Sequence, residues 1–358
     1  MGGYVARRLL LVLPTLFGIL LVNFIIVQFA PGGPVEQLMA QLEGADSGLA
    51  GRLGGGEGAG AADTGSYRGG QGLDPAFIQE LERQFGFDRP AHERFLRMVG
   101  DYLRFDLGES FFRNQRVADI ILEKLPVSLS LALWTTLIVY AVSIPLGIAK
   151  AVRQGSRFDA WTSLAVVVGY AVPGFMVGIL LVVLFAGGQY LSWFPLRGIA
   201  SENWADLSWP ARVADYAWHM ALPVTTLVLG AFATVTLLTR NSFLEEVGKQ
   251  YVTTARAKGL SPRRVLLGHV FRNAMLVVAA NFPQYLLGLL FGGALLVEVI
   301  FSLDGMGLLA FEAALSRDYP VVFGTLFVFT LVGLLANLLT DLLYVLIDPR
   351  IDFAARGT

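Results

Sequence analysis

Six apolar runs, each long enough to cross a bilayer as a helix, constrain this chain more than any other feature. They cover about 9–30, 127–149, 160–186, 217–239, 274–300 and 321–347. A hydrocarbon core of ~30 Å takes ~20 consecutive apolar residues in helical form. Inside it each backbone N–H and C=O must be bonded within the segment, which a helix achieves on its own. Composition agrees: 55% of the 358 residues are hydrophobic and 15% are charged, against about 25% charged in soluble domains. The expected fold is all-α, a polytopic membrane protein with six transmembrane helices. The run after Arg7 and Arg8 is too long for a signal-peptide core, so 1–30 reads as a tail and an uncleaved first span. There is no cysteine, which excludes disulfide and thiolate chemistry.

Lys and Arg set the orientation. Arg7 and Arg8 precede the first run. Lys150, Arg153 and Arg157 occupy the 150–159 loop, and Arg240, Lys249, Arg256, Lys258, Arg263, Arg264 and Arg272 the 240–272 loop. The alternate loops are poorer in cations: 187–216 has Arg197 and Arg212, and 301–320 has only Arg317. Both termini and the 240–272 loop are therefore expected in the cytoplasm. Residues 31–126 form the one large insert outside. Its part 43–72 is Gly/Ala-rich and cannot bury enough apolar surface to order itself. A helix is expected from Asp74-Pro75, with Phe77, Ile78, Leu81 and Phe85 on one side. A second, after Pro90, carries Phe95, Met98, Val99, Tyr102 and Leu103. Residues 127–358 are the five-helix core.

Polar residues within the apolar runs are few. Asn337, Asp341, Tyr344 and Asp348 recur at spacings of 4, 3 and 4 and share one helical face. A charge facing lipid costs ~3 kcal/mol on insertion scales, so this stripe faces protein or water. Interhelical hydrogen bonding, with Asp348 taking Arg350, is favoured over a substrate-path lining. Glu298 is the other ionisable group at that depth; a structural or gating role is favoured, with Arg317 as its partner. Gly288 and Gly292 fit a small-xxx-small contact face, and Pro173-Gly174 predicts a kink. His92, His219 and His269 have no metal spacing, and His219 reads as interfacial. No phosphate-binding loop, HExxH or GxSxG occurs. The chain thus shows no catalytic, metal or nucleotide site of its own.

The 240–272 loop is polar, basic and helix-forming. It contains a stop and a restart. Gly259 suits the left-handed residue just past a helix end; Ser261 and Pro262 suit an N-cap and a first helical position. One helix is expected to end near Lys258 and another to start at Pro262. Such an elbow between two spans is suited to a soluble partner, with anionic lipid as the rival occupant.

The run Tyr251-Val252-Thr253-Thr254-Ala255-Arg256-Ala257-Lys258-Gly259-Leu260-Ser261 resembles the "EAA" loop of binding-protein-dependent ABC importer permeases, most closely in the oligopeptide/dipeptide branch. The broad family's Ile-x-Leu-Pro end is replaced here by His269-Val270-Phe271-Arg272-Asn273-Ala274, as in that branch. Three further blocks agree: Arg7 to Pro34, Glu298-Val299-Ile300-Phe301-Ser302-Leu303-Asp304-Gly305-Met306-Gly307, and Arg317-Asp318-Tyr319-Pro320 with Asp341 to Ile351.

The resemblance implies a type I permease in a bacterial inner membrane. It would pair with a second, homologous permease subunit. Two ABC ATPase domains, separate or fused, would bind ATP and Mg, and a periplasmic peptide-binding protein would deliver cargo. This chain would hold no cofactor, and no nucleic acid is implied. The coupling helix would present Tyr251 as an apolar anchor, small residues Thr253, Thr254, Ala255 and Ala257, charges Arg256 and Lys258, and Gly259 at its end. Two rivals remain. A stand-alone secondary transporter or channel would need mid-bilayer charged pairs or internal repeats, and an intramembrane enzyme would need convergent nucleophile, base or metal residues.

Overall fold

The computed structural model describes residues 2–29, 83, 88–188 and 190–347. The expectations for 43–72, for the helix at Asp74-Pro75 and for Asp348 with Arg350 fall outside the described residues. Twelve helices carry the architecture of that part. They are α1 (Gly2–Phe29), α2 (Ala91–Tyr102), α3 (Val117–Val152), α4 (Arg157–Ala171), α5 (Gly174–Phe185), α6 (Trp209–Val247), α7 (Gln250–Ala257), α8 (Pro262–Val265), α9 (Phe271–Gly288), α10 (Leu295–Ile300), α11 (Met306–Ser316) and α12 (Tyr319–Ile347). No strand occurs among the described residues; Glu109 and Arg116 form an isolated bridge. Among the described residues, five helical stretches are long and apolar enough to cross a membrane, six if α4 and α5 count as one broken span.

Three spans differ from their expected form. The third does not merely kink: α4 and α5 meet at 87°. Val172 is extended (φ −86°, ψ 121°), because a following proline disfavours helical backbone in the residue before it. The fourth runs from Trp209 to Val247 rather than 217–239; Ser208 and Pro210 start it, and Pro223 is accommodated within it. The fifth is interrupted. After α9 comes a π-helical turn, Leu289–Gly293, in which Gly292 has φ 149°, before α10. Only glycine adopts that backbone without strain. Gly288 and Gly292 have nothing within 4 Å of a notional Cβ, so the expected close-contact face is absent among the described residues. Gly292 serves the break instead.

The chain divides into two compact units: 1–10 with 122–309 and 329–358, and 11–121 with 310–328. The smaller unit has an aromatic core. Phe24 and Phe95 approach at 5.2 Å and Tyr102 and Phe327 at 5.2 Å between ring centroids. The amphipathic stretch after Pro90 thus forms its helix, burying Phe95 and Tyr102 while Leu103 stays exposed. Buried Asp318 joins the loop before α3 to the α11–α12 turn, accepting from Ser110 Oγ and, at 3.1 Å, from the Phe111 N–H.

Among the described residues, three apolar clusters organise the larger unit. One gathers Leu131, Met220, Leu222, Val224, Val297, Phe301 and Leu303. His219 is buried beside it, its Nδ1 2.9 Å from the Asp215 carbonyl oxygen. The second joins Ala151 at the end of α3 to Phe243, Val252, Ala255, Val265, Val270 and Ala274. The third holds Ala132, Leu287 and Leu290. Between the first two, α3 and α6 approach so closely at Gly147 that a Cβ there would lie 2.7 Å from Thr239 Cβ and 2.8 Å from the Thr236 carbonyl oxygen. Gly147→Ala should therefore cost about 1–3 kcal/mol by overpacking, read as a lower midpoint of thermal unfolding in detergent. Gly18→Ala, with nothing within 4 Å, should show no such loss.

Candidate functional site

The elbow is a stiff, internally bonded object. α7 starts after Lys249, which is extended (φ −75°, ψ 151°), and ends at Lys258. Gly259 has φ +83°. Its N–H donates to the Arg256 carbonyl at 2.9 Å, and the Leu260 N–H to the Ala255 carbonyl at 3.3 Å. These two bonds make a Schellman ending, which satisfies carbonyls a helix end otherwise leaves bare. Leu260 packs into the cluster that holds Ala255, the apolar contact that accompanies this motif. Ser261 is extended (φ −61°, ψ 148°) and Pro262 opens α8. The Ser261 side chain makes no capping hydrogen bond, so its contribution is backbone conformation alone. A π-helical turn, Leu266–Val270, then leads into α9.

Burial sorts the residues of this helix. Val252 and Ala255, three apart, are 0% and 7% exposed and face the chain's own core. Thr253, Thr254, Arg256, Ala257, Lys258 and Gly259 are exposed. Two expected docking residues are thus engaged inward: Ala255 in that core, and Tyr251, half-buried, whose OH donates to Glu246 Oε2 at 2.8 Å. Burial, with the Glu246 acceptor adding to it against a lowering contact from Asn273, pushes the Tyr251 phenol up. The hydroxyl therefore stays protonated and remains a donor. Glu246 also pairs with Lys249, whose ammonium it holds above its usual range. The Gly248–Lys249 corner is stitched from both sides.

Behind the elbow lies a charge cluster that the sequence does not announce. Lys150, counted above as a loop cation, is fully buried. Its Nζ lies 3.1 Å from Asp159 Oδ1 and donates to Ser163 Oγ (2.7 Å), Thr162 Oγ1 (2.9 Å) and the Asp159 carbonyl (3.1 Å). Arg240 grips both oxygens of the same carboxylate, at 3.2 and 2.9 Å. The Gly155 N–H adds a fourth direction at 3.3 Å, and Ser156 Oγ caps α4 by accepting from the Asp159 N–H. The hint available was Asp159 followed by Thr162 and Ser163, three and four residues on, which puts a carboxylate and two hydroxyls on one helical face.

The expected intramembrane residues separate into two places. Glu298 is 1% exposed; it accepts from Ser128 Oγ at 2.8 Å and the Leu308 N–H at 2.7 Å. Ser128 Oγ in turn accepts from the Met306 N–H at 2.7 Å. Glu298 and Ser128 thereby take up the free N–H groups at the start of α11. Gly305 and Gly307 are needed because a Cβ on either would press on the Glu298 carboxylate. Arg317 is not among the groups that hold it, and among the described residues no cation lies within ion-pair distance of Glu298. On α12, Asn337 accepts from Gln284 Nε2. Asp341 accepts from the Tyr4 hydroxyl at 2.7 Å and pairs with Arg8 at 3.0 Å. Interhelical bonding is the observed state for both. Tyr344 lies in α12, and Asp348 falls outside the described residues. No group of three or more metal-binding side chains occurs among the described residues.

Residues 143–353 match the family described as binding-protein-dependent transport system inner membrane component. The chain belongs to this family. Over 362 residues the permease is 57% identical to the peptidoglycan transport system permease protein YejB of Agrobacterium fabrum, covering 99% of this chain and 100% of that one. It is 56% identical to the inner membrane ABC transporter permease protein YejB of Escherichia coli O157:H7, with 99% and 100% covered. The oligopeptide transport system permease protein AppB of Bacillus subtilis is 30% identical, again with 99% and 100% covered.

Two outcomes follow for this permease. Gly259→Val should cost about 1–2 kcal/mol, the strain of a side chain on left-handed backbone; with nothing within 4 Å of its Cβ, no clash adds to it. Proteolysis between α7 and α8 should accelerate while membrane insertion is unchanged. Glu298→Ala strands the N–H of Leu308 and the Ser128 hydroxyl, each buried polar group costing about 1–3 kcal/mol. Its thermal midpoint in detergent should fall further than that of Asp341→Leu, whose site is partly exposed.

Proposed function

We propose that this permease forms half of a path for peptides through a bacterial inner membrane and couples that path to ATPase subunits through α7. The observation that carries the reading is the elbow: a two-turn helix, closed at its end by a Schellman motif, seated on a core that includes α3, and presenting Thr253, Thr254, Arg256, Ala257 and Lys258 outward. A motor domain can push a body of this kind, whereas a slack loop would absorb the stroke. The second permease, two ATPase domains binding ATP and Mg, and a periplasmic binding protein complete the assembly. The chain itself performs no catalytic step. Both termini lie in the cytoplasm on this reading, which the Lys/Arg asymmetry supports. Peptides as cargo are supported by relatives named for oligopeptide and peptidoglycan transport; amide groups are common to both.

Reconstitution tests the proposal. Vesicles holding the permease with its partner permease, ATPase subunits and binding protein should take up labelled peptide when ATP is supplied. Vesicles holding this chain alone should take up none. Uptake by the lone chain, or ATP-independent uptake by the assembly, would overturn it.

A further inference from the structure

On the reading of α7 as the coupling element, we infer that Asp159 is a positioning residue. It fuses the α3–α4 hairpin to the stem of the elbow, so that the two cytoplasmic loops move as one rigid block.

Two independent connections lead there. The first is electrostatic. Lys150 on the last turns of α3 and Arg240 on α6 grip the same carboxylate, and Asp159 is itself held at the start of α4 by the Gly155 and Ser156 bonds. The carboxylate is 8% exposed and the lysine 0%. Parting Asp159 from Lys150 would leave a buried charge uncompensated, which proteins tolerate poorly, and the two-point grip of Arg240 ties that pair to α6. The second is apolar. Ala151 of α3, with Ile148 partly buried beside it, packs in the same cluster as Val252 and Ala255 of α7 and Phe243 of α6. The hairpin is therefore bonded to the stem on one side and packed against the coupling helix on the other. Gly147, where α3 and α6 nearly touch, extends the contact into the span. A displacement applied to the exposed face of α7 cannot be absorbed between these parts. It passes to the breaks at Val172-Pro173 and Gly292, where the backbone leaves the helical region.

Because the chain has no cysteine, paired spin labels can be placed cleanly. Gln154→Cys and Gln250→Cys report the hairpin and the start of α7. In the full transporter, the label-to-label distance distribution should be narrow and the same in the nucleotide-free and ATP-trapped states. Arg240→Gln should broaden it. The same variant should raise the ATP hydrolysed per peptide imported at least about fivefold, the low end of usual coupling factors. Arg240→Lys, which keeps the charge but not the two-point grip, should fall between. Where Arg240→Gln yields no assembled complex, Arg240→Lys carries both readouts, with a broadened distribution and a raised ratio expected. A distance that shifts between states in the parent, or variants that match it in both readouts, would overturn the inference. A defect confined to stability would lower assembly yield and leave the ratio unchanged, which also overturns it. The distance is read without reference to uptake, so the rigid block can fail while the assembly still imports peptide, and the reverse.

Discussion

Desolvation of charge is the constraint that organises the larger unit. An ion taken out of water costs several kcal/mol after relaxation. The chain meets this by giving its buried ions more than one partner. Lys150 has three oxygen acceptors besides its carboxylate. Asp159 has two cations and a backbone donor. Glu298 takes a different route, with no cation in reach among the described residues: the Ser128 hydroxyl of α3 and the Leu308 N–H at the start of α11 hold it. The bonds from Asp159 to Arg240 and from Glu298 to Ser128 join segments far apart in sequence, so the need to satisfy a buried ionisable group also fixes where helices meet. Glu298 sets the start of α11, and Asp159 sets the junction of α3, α4 and α6.

Where no ion fixes a junction, backbone conformation does. Pro173 breaks the third span because Val172 cannot stay helical before it, and Gly292 breaks the fifth because its φ of 149° is open to glycine alone. Neither break carries a polar side chain to lock it. The larger unit therefore holds two kinds of joint: polar-bonded ones at Asp159 and Glu298, and backbone breaks at Val172-Pro173 and Gly292.

Much of this was legible in the sequence, and the remainder was hidden for identifiable reasons. Apolar run length marked the spans, because burying a helix in hydrocarbon leaves that signature whatever the tertiary context. Gly259 and Ser261-Pro262 marked the elbow, because left-handed backbone and proline's fixed φ are local properties. The inward turn of Ala255 was not visible, since an eight-residue helix with small residues on both faces gives little periodicity. Lys150 read as a loop charge because it sits at the end of an apolar run, where a solvated lysine and a buried one look alike. The carboxylate that pairs with it is also held by Arg240, ninety residues on. Glu298 was recognised as unusual, but its partners were sought among cations. The Ser128 hydroxyl and the Leu308 amide gave no charge pattern to follow.

A two-state transporter needs parts that do not deform as well as parts that do. A partner shifts a conformational equilibrium only by the difference in its contacts with the two states. That difference reaches a distant site only if the intervening structure has discrete arrangements rather than continuous slack. A coupling helix on a flexible stem would bind an ATPase equally well in either state, and the equilibrium would not move. On the proposed coupling role, α7, seated on a core shared with α3 and backed by a carboxylate gripped from two helices, moves together with them. Its position and that of the attached helix ends are one variable. The backbone breaks at Val172 and Gly292 lie away from that block, so on the same proposal a stroke at the elbow is passed on to the spans.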